Sequence, residues 1–321
     1  MQKIDKKNKL CIYLDQFVIG DILEGKNALW LEIKKLIELS YVKGLIYCPL
    51  SMEHVLETVR KDISDAKQHD AYYRTISDNY FFKSEPFLTA QLISSLIRKN
   101  KKTINTFLSK PELKEIDDVY PFINSDHKKF SSGLNKMLQS QNDFRKILHN
   151  KMTPAEEIIM MDAITNSEID TFKTRLKEYI DQKSLIIRSD HFGSFSAPNW
   201  IDQLLFQLTN KHKFKKKELL AFLSELNRNG FSRIPSLHIK FSLGAYLAVK
   251  NKKENSGDHI DIMRIASYLF SSDIFFTDKK RKYEICDLGL DKKYKTEVFS
   301  GTQNDLMQVR DLLINLNKMS K

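Results

Sequence analysis

The sequence contains few cysteines, and they are far apart. Cys11, Cys48 and Cys286 are odd in number, and each lies in an apolar, strand-like run. Such spacing fits neither a disulfide framework nor a zinc knuckle. It predicts three buried, reduced thiols.

A long apolar segment is also missing. The longest apolar runs, such as residues 158 to 161, fall far short of the roughly 20 residues that a membrane-spanning helix needs. The charged start, residues 1 to 9, lacks the apolar stretch and the small-residue cleavage site of a secretory signal. We therefore expect a cytoplasmic protein without a membrane partner.

Acidic residues are outnumbered by basic ones. The 321 residues include 52 Lys and Arg against 41 Asp and Glu, a formal net charge of +11, and the basic residues cluster at 98 to 102, 211 to 217 and 279 to 282. A polyanion such as nucleic acid is the partner that this excess favours. The predicted nucleic-acid-binding residues are Lys213, Lys215, Lys216, Lys217, Lys279, Lys280 and Arg281.

Both ends of the sequence show the alternation of an α/β fold. An apolar run at 9 to 14 predicts a buried parallel strand that stops at Asp15, and polar and turn residues follow it. A helical pattern at 28 to 41 leads to a second strand at 44 to 49 and to a helix capped by Ser51. This order predicts a right-handed βαβ unit.

The middle of the chain, from about residue 70 to 230, shows mainly helical periodicity. Helices are predicted near 87 to 108, 129 to 148, 154 to 182, 200 to 209 and 215 to 228. The α/β pattern then resumes, with predicted helices at 237 to 249 and after a loop at 251 to 257, a strand at 272 to 277, short strands near 283 to 288 and 297 to 299, and a last helix at 303 to 316. We predict an α/β core of residues 1–75 and 234–321, a parallel sheet flanked by helices, interrupted by a large, mostly α-helical insertion of residues 76–233.

Acidic residues occupy equivalent places in this pattern. Asp15 and Asp278 each follow an apolar strand, while Glu53 and Asp261, with Asp258 one turn before it, lie near helix starts. Ligands bind open parallel sheets at the carboxyl ends of the strands. Carboxylates gathered there repel one another unless a hard cation such as Mg²⁺ or Mn²⁺ lies among them. In a basic protein, this predicts metal-assisted hydrolysis of phosphodiester bonds.

Three short motifs resemble the PIN-like domain nucleases. They are Ile-Tyr-Leu-Asp15, then Cys-Pro-Leu-Ser-Met-Glu53, and the segment from Gly257 to Lys279 in which Asp261 opens a helix and Thr277-Asp278 closes a strand. Their order and spacing cover roughly residues 9 to 70 and 234 to 300.

The resemblance implies a PIN-like fold and a metal-dependent endonuclease that prefers RNA to DNA. It implies Mg²⁺ or Mn²⁺ as cofactor, with Asp15, Glu53, Asp261 and Asp278 as catalytic metal ligands and Thr277 supporting the last of them. Asp258 competes with Asp261 for the helix-start position, because a spacing of three residues puts both on one helix face.

Other functions remain open. Transfer of a phosphoryl group through Asp15 would need a second acid two residues later, where Phe17 stands. A metal-free ribonuclease could pair Arg233 with His238, although Pro235 interrupts the helix between them.

A non-catalytic PIN-like protein that binds nucleic acid or assembles a complex is the main alternative. Its aromatic residues Phe192, Phe195, Trp200 and Phe206 could stack on bases or fill a core. An active nuclease would need restraint in its own cell. We therefore include among the expectations a toxin or antiviral defence effector, and a regulatory protein or a second copy of the chain as partner.

Overall fold

A computed structural model describes most of the chain. The described residues are 9–58, 61–78, 80–110, 132–133, 135–136, 138–139, 142–143, 152–182, 187–192, 195–250 and 252–318. The predicted helix at 129 to 148 falls largely outside them.

The chain packs into two compact units. The sheet unit comprises Met1–Lys83, Thr103–Asp126 and Tyr268–Lys321, and the helical unit comprises Ser84–Lys102 and His127–Ser267. The predicted domain boundaries after residues 75 and 233 remain a prediction, because these units reflect packing alone.

A parallel sheet of four strands forms the centre of the sheet unit. The strands are β1 (Leu10–Tyr13), β2 (Ile46–Tyr47), β7 (Ile274–Phe276) and β8 (Glu297–Phe299), and their order across the sheet is β2-β1-β7-β8. Ile12 pairs with Ile274, and Tyr13 pairs with Phe275. The predicted class, a parallel α/β sheet flanked by helices in a mostly helical chain, is confirmed.

The two faces of this sheet differ in chemistry, because successive side chains along a strand alternate between faces. Ile12, Ile274 and Phe276 belong to a mainly aliphatic core packed by helices. Tyr13 and Phe275 lie on the other face and stack on each other with ring centroids 4.6 Å apart. The second face is therefore the aromatic one.

Eight α-helices of the described chain lie in the sheet unit. Their bounds are α1 (Gln16–Glu24), α2 (Ala28–Val42), α3 (Met52–Thr58), α4 (Ile63–Ser77), α6 (Ile104–Phe107), α12 (Lys279–Asp287), α13 (Leu290–Tyr294) and α14 (Gln303–Lys318). Two further short strands, β3 (Phe81–Phe82) and β4 (Leu108–Ser109), pair antiparallel.

Three predictions for the sheet unit are wrong. The stretch after Asp15 is helix α1 rather than a turn, and residues 283 to 287 of the strand predicted near 283 to 288 belong to helix α12. Cys286 is consequently exposed on that helix, whereas Cys11 and Cys48 are buried as expected.

The described part of the helical unit consists mainly of helices, which are 7 to 29 residues long. They are α5 (Glu85–Ile97), α7 (Pro154–Gln182), α8 (Trp200–Phe206) with a π-helical turn at Gln207–Lys211, α9 (Lys216–Asn229), α10 (Pro235–Val249) and α11 (Ser256–Tyr268), whose last residue is in the sheet unit. A two-stranded ribbon, β5 (Ser189–Phe192) with β6 (Phe195–Pro198), lies within the segment predicted to be mostly helical.

Aromatic side chains contribute to the helical unit's core, which is otherwise aliphatic. Phe172 packs edge-on against Phe222 and Phe231, and Trp200 packs against Phe172 and Phe241. Trp200 is partly buried and packs against this core. The described helices include none with the length and apolarity needed to cross a membrane.

Candidate functional site

Asp15 lies at the carboxyl end of β1 and starts helix α1. It is 5% exposed, and its Oδ1 accepts a hydrogen bond from the amide of Gln16 at 2.6 Å. An N-terminal helix amide is a favourable partner for a buried carboxylate, since it satisfies a donor that the helix leaves open. Part of the role of Asp15 is thus to cap α1.

Asp278 occupies the corresponding place after β7. Its Oδ1 accepts from the amides of Lys280 at 2.7 Å and Arg281 at 3.0 Å, so it caps helix α12. Because β1 and β7 are parallel neighbours, Asp15 and Asp278 follow adjacent strands at one edge of the sheet. That edge is the position in which parallel sheets bind ligands.

Thr277 directly follows β7 and precedes Asp278. The register that pairs Tyr13 with Phe275, continued for two residues, would place Asp15 opposite Thr277. The amide of Thr277 still donates to Phe299, which extends the β7–β8 ladder. Its hydroxyl is buried and has no hydrogen-bond partner among the described residues.

His54 ties helix α3 to the end of β1. Its Nδ1 accepts from the amide of Ser51 at 3.0 Å, so the ring proton lies on Nε2, which donates to the carbonyl oxygen of Leu14 at 2.7 Å. The ring stacks on Tyr13 as well. Both nitrogens are engaged in this way, and His54 therefore acts as a neutral structural residue.

The same turn of α3 buries Glu53. This carboxylate is 5% exposed, and the phenol of Tyr268 donates to its Oε2 at 2.6 Å. Burial, and then the negative charge of Glu53, raise the pKa of Tyr268 well above its ordinary value, so the phenol stays a neutral donor. Within the part of the chain that the structure describes, Glu53 has no Lys, Arg or His partner.

Asp305 is a buried carboxylate near this edge whose charge is compensated by a lysine. It follows β8, is 4% exposed, and accepts from the amide and hydroxyl of Ser300 and from Nζ of Lys282 at 2.6 Å. Burial alone would raise the pKa of Asp305, but the bonds from Lys282 and Ser300 lower it. Unlike Glu53, it already has its cation.

Asp258 and Asp261 belong to the helical unit. Asp258 accepts from the amide of Asn255 at 3.0 Å, while Asn255 accepts from the amide of Asp258, which is a reciprocal capping arrangement. Asp261 forms an ion pair with the buried Arg264 one turn later. Both acids thus have partners within their own helix start, and their predicted role as metal ligands remains a prediction.

The predicted phosphate-binding residues differ in exposure. Lys279 and Lys280 are exposed in the first turn of α12. Arg281 is 1% exposed, and its Nη1 pairs with the fully buried Glu284 at 2.5 Å. The expectation that Arg281 contacts phosphate does not agree with this burial. In the helical unit, Lys213 and Lys215–Lys217 are all exposed.

The donor chemistry of the edge fits a hard divalent cation, because Mg²⁺ and Mn²⁺ take carboxylate oxygens. The geometry is less complete. Among the described residues, no group of three or more His, Cys, Asp or Glu side chains lies close enough together to hold a metal ion. Asp15, Glu53 and Asp278 are therefore individual candidate donors and do not form a preassembled metal-binding site.

Sequence reasoning missed Tyr268 and the role of His54. One signal for Tyr268 was available, since it follows Asp261 by seven residues and so shares a helix face with it. A polar aromatic side chain on an otherwise apolar face usually needs a hydrogen-bond partner.

Two of the alternative active sites are not supported by local structure. Pro235 is the first residue of α10, so Arg233 lies before the helix that carries His238, and Arg233 pairs with Glu225. Phe17, two residues after Asp15, is part of helix α1.

Comparisons with known proteins add no family. No protein-family model, no curated protein and no solved structure matches this chain.

Proposed function

We propose that this chain is a metal-dependent nuclease of the PIN-like class, with RNA as the favoured substrate and with its site at the carboxyl edge of the sheet. The sheet unit supports this proposal through Asp15, Glu53, Thr277 and Asp278. Strand order and register place Asp15 and Asp278 after adjacent parallel strands.

The main support for the proposal is that Glu53 is buried without a cationic partner among the described residues. Burying an ionised carboxylate is costly unless a cation compensates it. Asp305, at the same edge, is compensated by Lys282, whereas Glu53 has only a neutral phenol among the described residues. A cation that arrives from solution is the compensation that this arrangement lacks.

The proposed roles follow from these contacts. Tyr268 and His54 fix the turn that carries Glu53, and helix amides hold one oxygen each of Asp15 and Asp278. Asp15, Glu53 and Asp278 are the proposed donors to Mg²⁺ or Mn²⁺, although the described residues contain no preassembled group of three donors. The cation would supply positive charge at the scissile phosphate and assist the attack of water. Lys279 and Lys280, exposed directly after Asp278, would bind the neighbouring phosphates.

The test is cleavage of labelled single-stranded RNA and DNA with Mn²⁺, with Mg²⁺ and with EDTA. The variants are Glu53→Gln and Asp278→Asn, and Glu297→Gln is the matched control. Glu297 is an exposed acid at the amino end of β8, so it lies at the opposite edge of the same sheet.

Metal-dependent cleavage that both site variants abolish and the control retains would support the proposal. Cleavage that persists in EDTA, or that survives in both site variants, would contradict it. Purification of the variants in parallel excludes a contaminating nuclease, because contamination would not follow the substitutions.

A second candidate is a non-catalytic nucleic-acid-binding protein on the same scaffold. The lack of a three-donor metal group within the described residues favours it. Tight binding of RNA without turnover in either metal, by a protein whose Asp278→Asn variant binds equally well, would select this candidate over the nuclease.

A further inference from the structure

Two basic segments that are more than one hundred residues apart meet on the helical unit. Residues 98–102 contain four Lys or Arg, and residues 211–218 contain five, with Glu218 as the single acid of the two segments. We define the basic surface as these two segments together with Phe87.

Arg98 joins the two segments. Its Nη2 donates to the carbonyl oxygen of His212 at 2.7 Å, its Nε pairs with Glu218 at 2.6 Å, and its guanidinium lies 4.9 Å from the ring centre of Phe214. Glu218, the only acid of the basic surface, thus neutralises Arg98. Among the described residues, it does not form an ion pair with any lysine of the surface.

Seven lysines of the surface are exposed. None of them forms an ion pair with a residue in the described part of the chain. They are Lys99, Lys101, Lys211, Lys213, Lys215, Lys216 and Lys217. Seven like charges on one surface repel one another, and a polyanion would relieve that repulsion.

Backbone conformation adds an independent observation. Lys99 has φ of +57° and Lys213 has φ of +54°, both in the left-handed region. Glycine and asparagine adopt this region with less strain than lysine does. Glycine can therefore replace either lysine without backbone strain, so these two positions allow a charge to be removed without loss of local stability.

An exposed aromatic ring completes the surface. Phe87 is 40% exposed, and Nζ of Lys211 lies 4.6 Å from its ring centre. Single-stranded nucleic acid is recognised by basic residues along the backbone together with rings on which bases stack. Acidic peptides would use the lysines but would gain little from the ring.

We propose that the basic surface binds single-stranded nucleic acid, with the lysines on the phosphates and Phe87 stacked on a base. This inference deepens the proposed nuclease function and rests on it for the class of ligand. The surface belongs to the helical unit and the edge carboxylates Asp15, Glu53 and Asp278 belong to the sheet unit, so binding can be measured without any cleavage.

The experiment measures fluorescence anisotropy of a labelled 20-nucleotide poly-uridylate RNA in EDTA, at several salt concentrations. The main variant is Lys99→Gly with Lys213→Gly, which removes two charges and relieves backbone strain at both positions. Lys295→Gly is the matched control, because Lys295 is also an exposed lysine with φ of +57°, but it belongs to the sheet unit.

We expect the double variant to bind about tenfold more weakly at low salt, with a salt slope that falls by about 0.7 for each phosphate that the surface no longer binds. Its melting temperature should equal or exceed that of the parent, and the control should bind within about twofold of the parent. Phe87→Ala should weaken binding by at least about fivefold.

Unchanged affinity in the double variant, or an equal loss in Lys295→Gly, would overturn the proposal. Equal binding of poly-glutamate at matched charge would also overturn it, since the surface would then read charge alone. Binding without cleavage in Mn²⁺ would keep this inference and reject the nuclease, and cleavage with unchanged affinity in the double variant would do the reverse.

Discussion

The imidazole of His54 donates from Nε2 to the carbonyl oxygen of Leu14 at 2.7 Å, one residue before Asp15. The phenol of Tyr73 donates to the same carbonyl at 3.2 Å. Two buried side chains thus hold the backbone from which Asp15 projects, and one of them is adjacent to Glu53. The hydrogen bond from His54 to Leu14 therefore links the backbone next to Glu53 with the backbone next to Asp15.

Replacement of His54 by alanine should destabilise the protein by about 2–4 kcal/mol, because it removes buried volume and leaves the Ser51 amide and the Leu14 carbonyl with fewer partners. The measurement is urea unfolding. His259→Ala is the control, since His259 is partly exposed and pairs with Glu254. Equal effects of the two substitutions would contradict the role of His54 in fixing the end of β1.

Replacement of Glu53 by glutamine should stabilise the metal-free protein by about 1 kcal/mol while it abolishes cleavage, because it removes a buried charge that has no cationic partner among the described residues. The glutamine oxygen can still accept from Tyr268. Thermal unfolding in EDTA tests the stability, and the RNA assay tests the activity. A lower melting temperature would show that the charge of Glu53 is already compensated.

Replacement of Tyr268 by phenylalanine should cost about 1–3 kcal/mol, because the buried carboxylate of Glu53 loses its donor. Tyr72→Phe is the matched control, since the Tyr72 hydroxyl is buried without a hydrogen-bond partner among the described residues. Its removal should be close to neutral. Denaturant unfolding gives the free energy of unfolding of both variants. An unchanged free energy of unfolding in Tyr268→Phe would contradict a stabilising contact with Glu53.

Stability should fall as the pH drops from about 6.5 to about 4, and His69 is one cause. Burial, and then the nearby Lys61, lower the pKa of His69 to about 4 in the folded protein. The unfolded chain takes up this proton at about pH 6.5. Between the two values the unfolded state binds more protons, so stability rises with pH.

Comparison of urea midpoints at pH 4.5 and pH 7 tests this linkage. His69→Gln should remove on the order of 1–2 kcal/mol of the difference, a range that allows for solvent screening. His69 also contacts the side chain of Gln16, next to Asp15. An identical pH dependence in the parent and the variant would assign the loss to other groups.

Substitution of Arg281 should affect stability, whereas substitution of Lys279 and Lys280 should affect RNA binding. Arg281→Ala leaves the buried Glu284 without its charge partner and should cost about 3–5 kcal/mol. Lys279→Ala with Lys280→Ala should leave the unfolding midpoint unchanged and weaken RNA binding alone. Circular dichroism melts and anisotropy distinguish the two effects, and a stable Arg281→Ala protein would restore Arg281 as a candidate phosphate contact.

The strands and their acids could be predicted because short apolar runs that end in a carboxylate are visible in one dimension. Helix α1 could not, since Gly20 and Gly25 suggested turns. Gly20 instead lies inside the helix, where an added Cβ would come 3.7 Å from the ring of His69, and Gly25 ends the helix with φ of +60°. The contact at Gly20 is an ordinary van der Waals distance, so no steric constraint requires glycine there, whereas the positive φ at Gly25 favours it.

The site was predictable only in part, because some of its contacts depend on how the chain packs. The edge position of Asp15 and Asp278 follows from strand order, which periodicity and chain order suggest. The bond between Tyr268 and Glu53 joins residues that are 215 positions apart, and the burial of Arg281 depends on Glu284. Such pairings are set by packing, which composition and spacing do not encode.

The central strand pair of the sheet has a consequence for biosynthesis. β1 pairs with β7 as well as with β2, and residues 12 and 274 are paired. A ribosome must therefore synthesise more than 270 residues before these strands can meet, which at roughly 5–20 residues per second takes on the order of half a minute. Until then, Asp15 has no Asp278 beside it. A nascent or prematurely terminated chain would thus carry half of the candidate edge, and the cell that makes this protein would be exposed to its complete form only after synthesis had passed β7.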